Sequence, residues 1–260
     1  MSLLKTPAIT LKSRRWGEAD RIVTFYTLRF GKLRGVARGA RRPKSRFGSA
    51  LEPFVHCELN LFEKRGDSLY RVTQADILET FGRFREDLSL MSGAARMTNL
   101  VAAITAEVDP GPRVFDTLLE SLRALHTSSD STLTVLLYQI KLLGLTGFRP
   151  ETDHCAACTA TFTQASDGMF SPTSGGLVCR ACARRRPDRC LPMAAGSRAF
   201  LQQALRWAPD VVTRLKATGQ VRSELEAAID AYVTVVAGTR LPPVNFLVAE
   251  SQPSVYSSRA

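Results

Sequence analysis

The sequence predicts a multidomain α+β protein: a small N-terminal β-barrel, a helical body behind it, and a compact four-cysteine module set into that body. Three observations carry this prediction. The first 75 or so residues read as short period-2 segments rich in β-formers, apolar residues recur at helical spacing from Phe84 onward, and two Cys-x-x-Cys pairs stand between helical stretches. A chain of 260 residues with 45% hydrophobic content is large enough to bury a core and to divide into more than one domain.

The first strand is expected over Ala8–Arg15. In the second, Ile22, Thr24, Tyr26 and Leu28 fall on one face and Val23, Phe25 and Thr27 on the other. Phe30-Gly31-Lys32 makes a turn, Leu33 to Ala37 a third strand, and Pro53 to Glu63 a fourth with Val55, Cys57, Leu59 and Leu61 on one face. Arg65-Gly66-Asp67 is a hairpin signal leading into a fifth strand over Ser68–Thr73. Five short strands suit a closed barrel such as an OB-fold, and the count alone leaves an SH3-like barrel open.

Gly111-Pro112 then opens a helix with the apolar stripe Leu118, Leu119, Leu122 and Leu125. Asp130 or Ser131 caps the next, whose Leu133, Leu136, Leu137, Ile140 and Leu143 share a face before Gly144 and Gly147 close it. Two more helical stretches follow residue 192, the second lined by Val221, Leu225, Ile229, Tyr232 and Val236. The expected division is a barrel over 1–80, a helical domain over 81–148 and 191–240, an inserted module over 149–190, and a loosely held tail over 241–260.

Charge is distributed unevenly. The first fifty residues hold 13 basic groups against only Glu18 and Asp20, a balance of +11 that equals the net charge of the whole chain. The remaining residues are neutral in sum, so the basic excess marks a surface whose natural partner is a polyanion. Arg41, Arg42, Lys44 and Arg46 lie in a Gly/Pro/Ser-rich loop before Phe47; Arg34 and Arg38 lie on the strand leading into it, and Arg14-Arg15-Trp16 end an earlier strand. Together with Lys32 these are the candidate nucleic-acid contacts: cations track phosphates while a ring such as Trp16 or Phe47 stacks on a base or packs inward. Arg180 and Arg184-Arg185-Arg186 form a second basic cluster, as well suited to solvent as to phosphate.

Cys155-x-x-Cys158 and Cys179-x-x-Cys182, separated by twenty residues, offer two knuckles of two thiolates each. Four sulfur ligands form the tetrahedral site that Zn²⁺ favours, and a saturated site of this kind is structural rather than catalytic. Phe170-Ser171-Pro172 and Ser174-Gly175-Gly176 read as the hairpin that returns the second knuckle to the first. Cys57 is expected as a small buried hydrophobe and His154 as a surface residue. No run of about 18 apolar residues suggests a membrane span, and the start lacks a secretory apolar core, so the expected location is cytoplasmic, with the protein on the nucleoid when bound to DNA.

In order along the chain, these residues resemble the DNA-repair and recombination mediator protein O (RecO) family. The resemblance rests on Gly17-Glu18-Ala19-Asp20-Arg21-Ile22-Val23, on Phe30-Gly31-Lys32 through Val36-Ala37-Arg38-Gly39-Ala40-Arg41-Arg42-Pro43-Lys44-Ser45-Arg46, and on Leu51-Glu52-Pro53-Phe54. It continues in Gly147-Phe148-Arg149-Pro150 before Cys155, and in Phe170-Ser171 with Gly175-Gly176 before Cys179; Thr159 stands where many members carry glycine. The resemblance implies an OB-fold, a helical body and an embedded zinc module. It also implies binding of single- and double-stranded DNA, annealing of complementary strands, and cooperation with recombination mediator protein R and with single-stranded-DNA-binding protein during recombinase loading. The chain has no glycine-rich phosphate loop of the Walker type, so a mediator without an energy source of its own is the expected function, and not an enzyme. An RNA-binding OB protein of translation or RNA processing is the alternative that a basic barrel leaves open. A zinc-dependent nucleic-acid enzyme is disfavoured by the filled four-cysteine set and by only three histidines, His56, His126 and His154, none paired at metal-ligand spacing.

Overall fold

A computed structural model describes residues 3–63, 69–163, 166–185, 189–206 and 217–244. The expected hairpin at Arg65-Gly66-Asp67, Arg186 of the second basic cluster, and the tail beyond residue 244 lie outside the described residues.

Five strands, β1 (Leu3–Trp16), β2 (Asp20–Thr27), β3 (Gly31–Ala37), β4 (His56–Phe62) and β5 (Tyr70–Glu79), close a barrel in the order β1-β2-β3-β5-β4. All pairings are antiparallel except β3 with β5, which run parallel through Gly35–Tyr70 and Val36–Arg71. This is the Greek-key order of an OB-fold, and it resolves the choice left open by strand counting. β1 is longer than its local pattern suggests. Its first half, from Leu3 to Ile9, pairs with β4, and its second half, from Ala8 to Trp16, pairs with β2 across a bulge between Thr10 and Lys12. β5 likewise runs on to Glu79, which pairs with His56.

The alternation in the sequence places Val23, Phe25, Leu33, Cys57, Leu59, Leu61 and Val72 inside the barrel. Burial pushes the Cys57 thiol up to about 12, so it stays neutral in this interior. The loop after β3 is more than a solvated linker. Its second half folds across the barrel, burying Phe47, Ala50 and Leu51, with the Thr10 hydroxyl donating to the Ala50 carbonyl at 3.2 Å.

The outer face of the barrel is divided. Ile9, Leu11 and Tyr26 belong to the same apolar cluster as the helices, whereas Ile22 and Thr24 remain only partly covered. A 3₁₀ turn at Gly82–Arg85 leads into α1 (Leu88–Ile104), whose first turn is capped by the Asp87 carboxylate. Then come α2 (Pro112–Thr127) and α3 (Ser131–Leu145). Of the two capping candidates for α3, Asp130 serves: its Oδ1 accepts from Leu133 N, and the same carboxylate binds Arg222 at 2.6 and 2.8 Å.

The inserted module holds β6 (Gly168–Ser171), β7 (Gly176–Val178), the short α4 (Arg180–Arg184) and β8 (Leu191–Met193), with sheet order β7-β6-β8. The chain returns through α5 (Ala195–Arg206) and α6 (Gly219–Ala237), whose Leu225, Ile229 and Tyr232 join the helical core. Arg96 on α1 is 4% exposed; it is satisfied by Asp230 and by the Pro242 carbonyl at 2.9 Å, which ties α1 to α6 and to the segment beyond it. Among the described residues no helix is long and apolar enough to cross a membrane.

Candidate nucleic-acid interface and metal centre

Strand register determines which cations meet. Arg14 lies opposite Ile22, Arg15 opposite Arg21, and Thr24 opposite Arg34, so the end of β1, the start of β2 and the middle of β3 form one wall. Arg38 follows directly after β3 and, like Arg14, Arg15, Arg42, Lys44 and Arg46, is exposed. Trp16 ends β1 with 57% of its surface in solvent.

The basic loop is tied back to the tip of the β1–β2 hairpin. The Asp20 carboxylate accepts from Gly39 N at 2.8 Å, and the exposed Arg41 guanidinium donates to the carbonyls of Gly17 and Glu18 at 3.2 and 2.8 Å. Arg41 therefore braces the loop as well as charging it. Phe47 is corrected as a stacking candidate: it is 2% exposed within the barrel core, and the Arg46 guanidinium covers its ring at 5.0 Å from the centroid.

A cavity of about 500 Å³ opens on this wall. Lys12, Arg14, Arg15, Trp16, Lys32 and Arg34 line one side, and Ala102 and Glu107 close it from the helical side. Lys32 is committed there rather than free for a ligand. Its ammonium donates to the carbonyls of Ala102 at 2.7 Å and Thr105 at 2.5 Å, where the C-terminal end of α1 favours a cation. Arg34 pairs with Glu107 at 2.9 Å. Burial, followed by the charge of Arg14, lowers the Lys12 pKa. Burial also lowers that of Lys32, with Glu107 opposing and Arg34 and Lys12 adding to the shift. Ala102 and Glu107 escaped sequence reasoning because nothing local marks them; they reach the wall only because the strip after α1 docks along β3, with Glu107 bridging Lys32 and Val108 N donating to the Lys32 carbonyl at 3.0 Å.

The four candidate metal ligands converge. The sulfurs of Cys155, Cys158, Cys179 and Cys182 all lie within 4.8 Å of one another, with Cys158 and Cys179 at 3.9 Å. The first knuckle closes through Thr159 N to the Cys155 carbonyl at 2.8 Å, and Thr159 adopts a φ of 60°. That left-handed backbone explains why glycine suits this position, and here a threonine bears the strain. The second knuckle sits on the hairpin of β6 and β7, as the spacing suggested, with Cys179 capping α4. Gly176 is required where the two halves cross: a Cβ there would lie 2.6 Å from the Glu151 carbonyl.

The donor set fits a divalent soft metal. Although burial opposes it, backbone N–H groups of Cys179, Ala157 and Cys158 hold the Cys155 thiol below its ordinary pKa. Bonds from Cys179 and Cys158 hold Cys182 above its own. Four thiols this close ionise together only when a cation neutralises them. The histidines stay apart: His56 packs on Phe115, His126 on Phe81 and Phe84, and the exposed His154 stands 3.9 Å from Glu151.

Residues 1–81 match the family profile described as recombination protein O N terminal, and residues 85–242 match the one described as recombination protein O C terminal. The chain belongs to the recombination protein O family. Proteins named DNA repair protein RecO are similar to it over most of their length. The one from Desulforamulus reducens is 32% identical over 95% of this chain and 94% of its own, and that from Bacillus subtilis 30% identical over 94% of each. The one from Roseiflexus is 36% identical over 88% of this chain and 79% of its own.

In this member of the recombination protein O family the wall lies on barrel strands and the four-cysteine cluster in the inserted module. Eight arginines and lysines among the sequence candidates are exposed (Arg14, Arg15, Arg34, Arg38, Arg41, Arg42, Lys44 and Arg46); Arg14, Arg15 and Arg34 line the cavity with Trp16, Lys32 is tied to the helical body and Phe47 turns inward. In the second basic cluster, Arg180 stands 3.5 Å from Asp167 and so carries a compensating charge.

Proposed function

We propose that this protein is a DNA-binding mediator of recombinational repair that anneals complementary single strands without hydrolysing a nucleotide. The observation that carries this reading is the cationic wall of β1, β2 and β3 beside the exposed Trp16, with the basic loop braced to the same β1–β2 hairpin through Arg41. Cations that neutralise phosphates on two strands reduce their mutual repulsion, and released counterions favour the complex. An aromatic face amid those cations suits unpaired bases. Zn²⁺, held by Cys155, Cys158, Cys179 and Cys182, would serve as a fold-stabilising ion: four sulfurs leave no position for substrate. The likeness to proteins named DNA repair protein RecO supports a role in DNA repair; to this we add single- and double-stranded DNA as ligands, and recombination mediator protein R and single-stranded-DNA-binding protein as partners in the cytoplasm. The chain's division at about residues 80, 149 and 190 into barrel, helical domain and inserted module belongs to the same reading.

The test uses full-length protein and labelled complementary oligonucleotides. Duplex formation should accelerate without ATP. Changing Arg42, Lys44 and Arg46 together to Ala, with the bracing Arg41 kept, should flatten the logarithmic salt dependence of single-strand binding by about 2, at roughly 0.7 per phosphate contact. A requirement for nucleotide, or an unchanged salt slope in a folded variant, would overturn the reading.

A further inference from the structure

The cavity on the basic wall contains one carboxylate among its lining cations, Glu107, and it engages Arg34 Nε at 2.9 Å. Its backbone is fixed by the strip docked along β3: Glu107 bridges Lys32, and the Asp109 carbonyl rests where a Cβ on Gly31 would come within 1.9 Å. The side chains are not fixed in the same way. Arg34 and Glu107 are 44% and 50% exposed, so the carboxylate can leave the guanidinium by rotation alone. An ion pair this open to water is weak enough to be exchanged. A phosphate diester presents the same anionic oxygens to a guanidinium, and in this cavity it would also face Lys12 and Arg14, with Trp16 at the rim for the adjoining base.

We propose that Glu107 is a built-in phosphate surrogate: it holds Arg34 in the free protein, and a backbone phosphate of a single strand takes its place when DNA enters the cavity. The proposal rests on the DNA-binding reading above and adds the residue that sets the strength of that binding. Release of Glu107 offsets part of the gain from each bound strand, which keeps the protein exchangeable on DNA. It also lowers the salt dependence, because Arg34 gives up an internal carboxylate rather than a counterion.

Binding of full-length protein to a labelled oligothymidylate, measured over a series of salt concentrations, tests this. Glu107→Gln should bind about fivefold more tightly at low salt, and its logarithmic salt slope should steepen by about 0.7, the share of one additional counterion. In an Arg34→Gln background the same change should have no such effect. Glu107→Ala should behave like Glu107→Gln and serves if the glutamine variant is unstable. Wild-type affinity and slope in Glu107→Gln, or an equal gain with and without Arg34, would overturn the proposal alone. Failure of the wild-type protein to bind the oligonucleotide would overturn the parent reading and this one with it.

Discussion

Trp16 keeps 57% of its surface in water, while Phe47, flanked by the same kinds of cation, keeps 2%. The difference comes from position along the chain path. Trp16 is the last residue of β1, beyond the stretch that β4 covers; Phe47 lies where the basic loop turns back over the barrel, and the interior is the nearest apolar volume. The two should therefore fail in different ways. Trp16→Ala should weaken single-strand binding by roughly 1–3 kcal/mol for the base it stacks, leaving the melting temperature where it was. Phe47→Ala should cost about 3–5 kcal/mol of stability, measured by denaturant titration. Equal effects of both on stability, with none on binding, would remove Trp16 from the interface. Lys32 makes the same point: a lysine in a basic segment reads as a ligand for phosphate, and only the carbonyls of Ala102 and Thr105 reveal it as a strut.

At the scale of elements, what the sequence disclosed was what depends on near neighbours. Strands β2, β3 and β4, the proline-led α2, the stripe of α3 and both cysteine knuckles follow from period, caps and spacing. The full reach of β1 and β5, the capping half of the basic loop and the strip that carries Glu107 depend on pairings between residues far apart in sequence, and they left no local trace. The cysteine module shows how strong spacing can be: two short motifs twenty residues apart located a cluster whose sulfurs meet within 4.8 Å. With so little sheet of its own, that module would gain its stability from the proposed ion. Purified protein should contain one Zn²⁺ per chain by elemental analysis, and Cys158→Ser should lower the melting temperature and solubility before it affects DNA affinity, since the wall lies on another part of the molecule. Metal-free protein with wild-type stability would contradict this.

For the whole molecule, the shared cluster of Ile9, Leu11 and Tyr26 with the helices makes barrel and helical body one mechanical unit, with Lys32 and the strip after α1 as further ties. Such a body carries its excess charge on the barrel, +11 on the first fifty residues and none in sum on the others. A charge divided in this way makes the molecule an electric dipole, which the field of a DNA strand should turn before contact. Orientation achieved in flight wastes fewer collisions, and its benefit should appear in how fast complexes form rather than in how long they last. Stopped-flow mixing should show an association rate that falls steeply with added salt and a dissociation rate that changes far less; a salt effect confined to dissociation would mean that the wall grips DNA without guiding it.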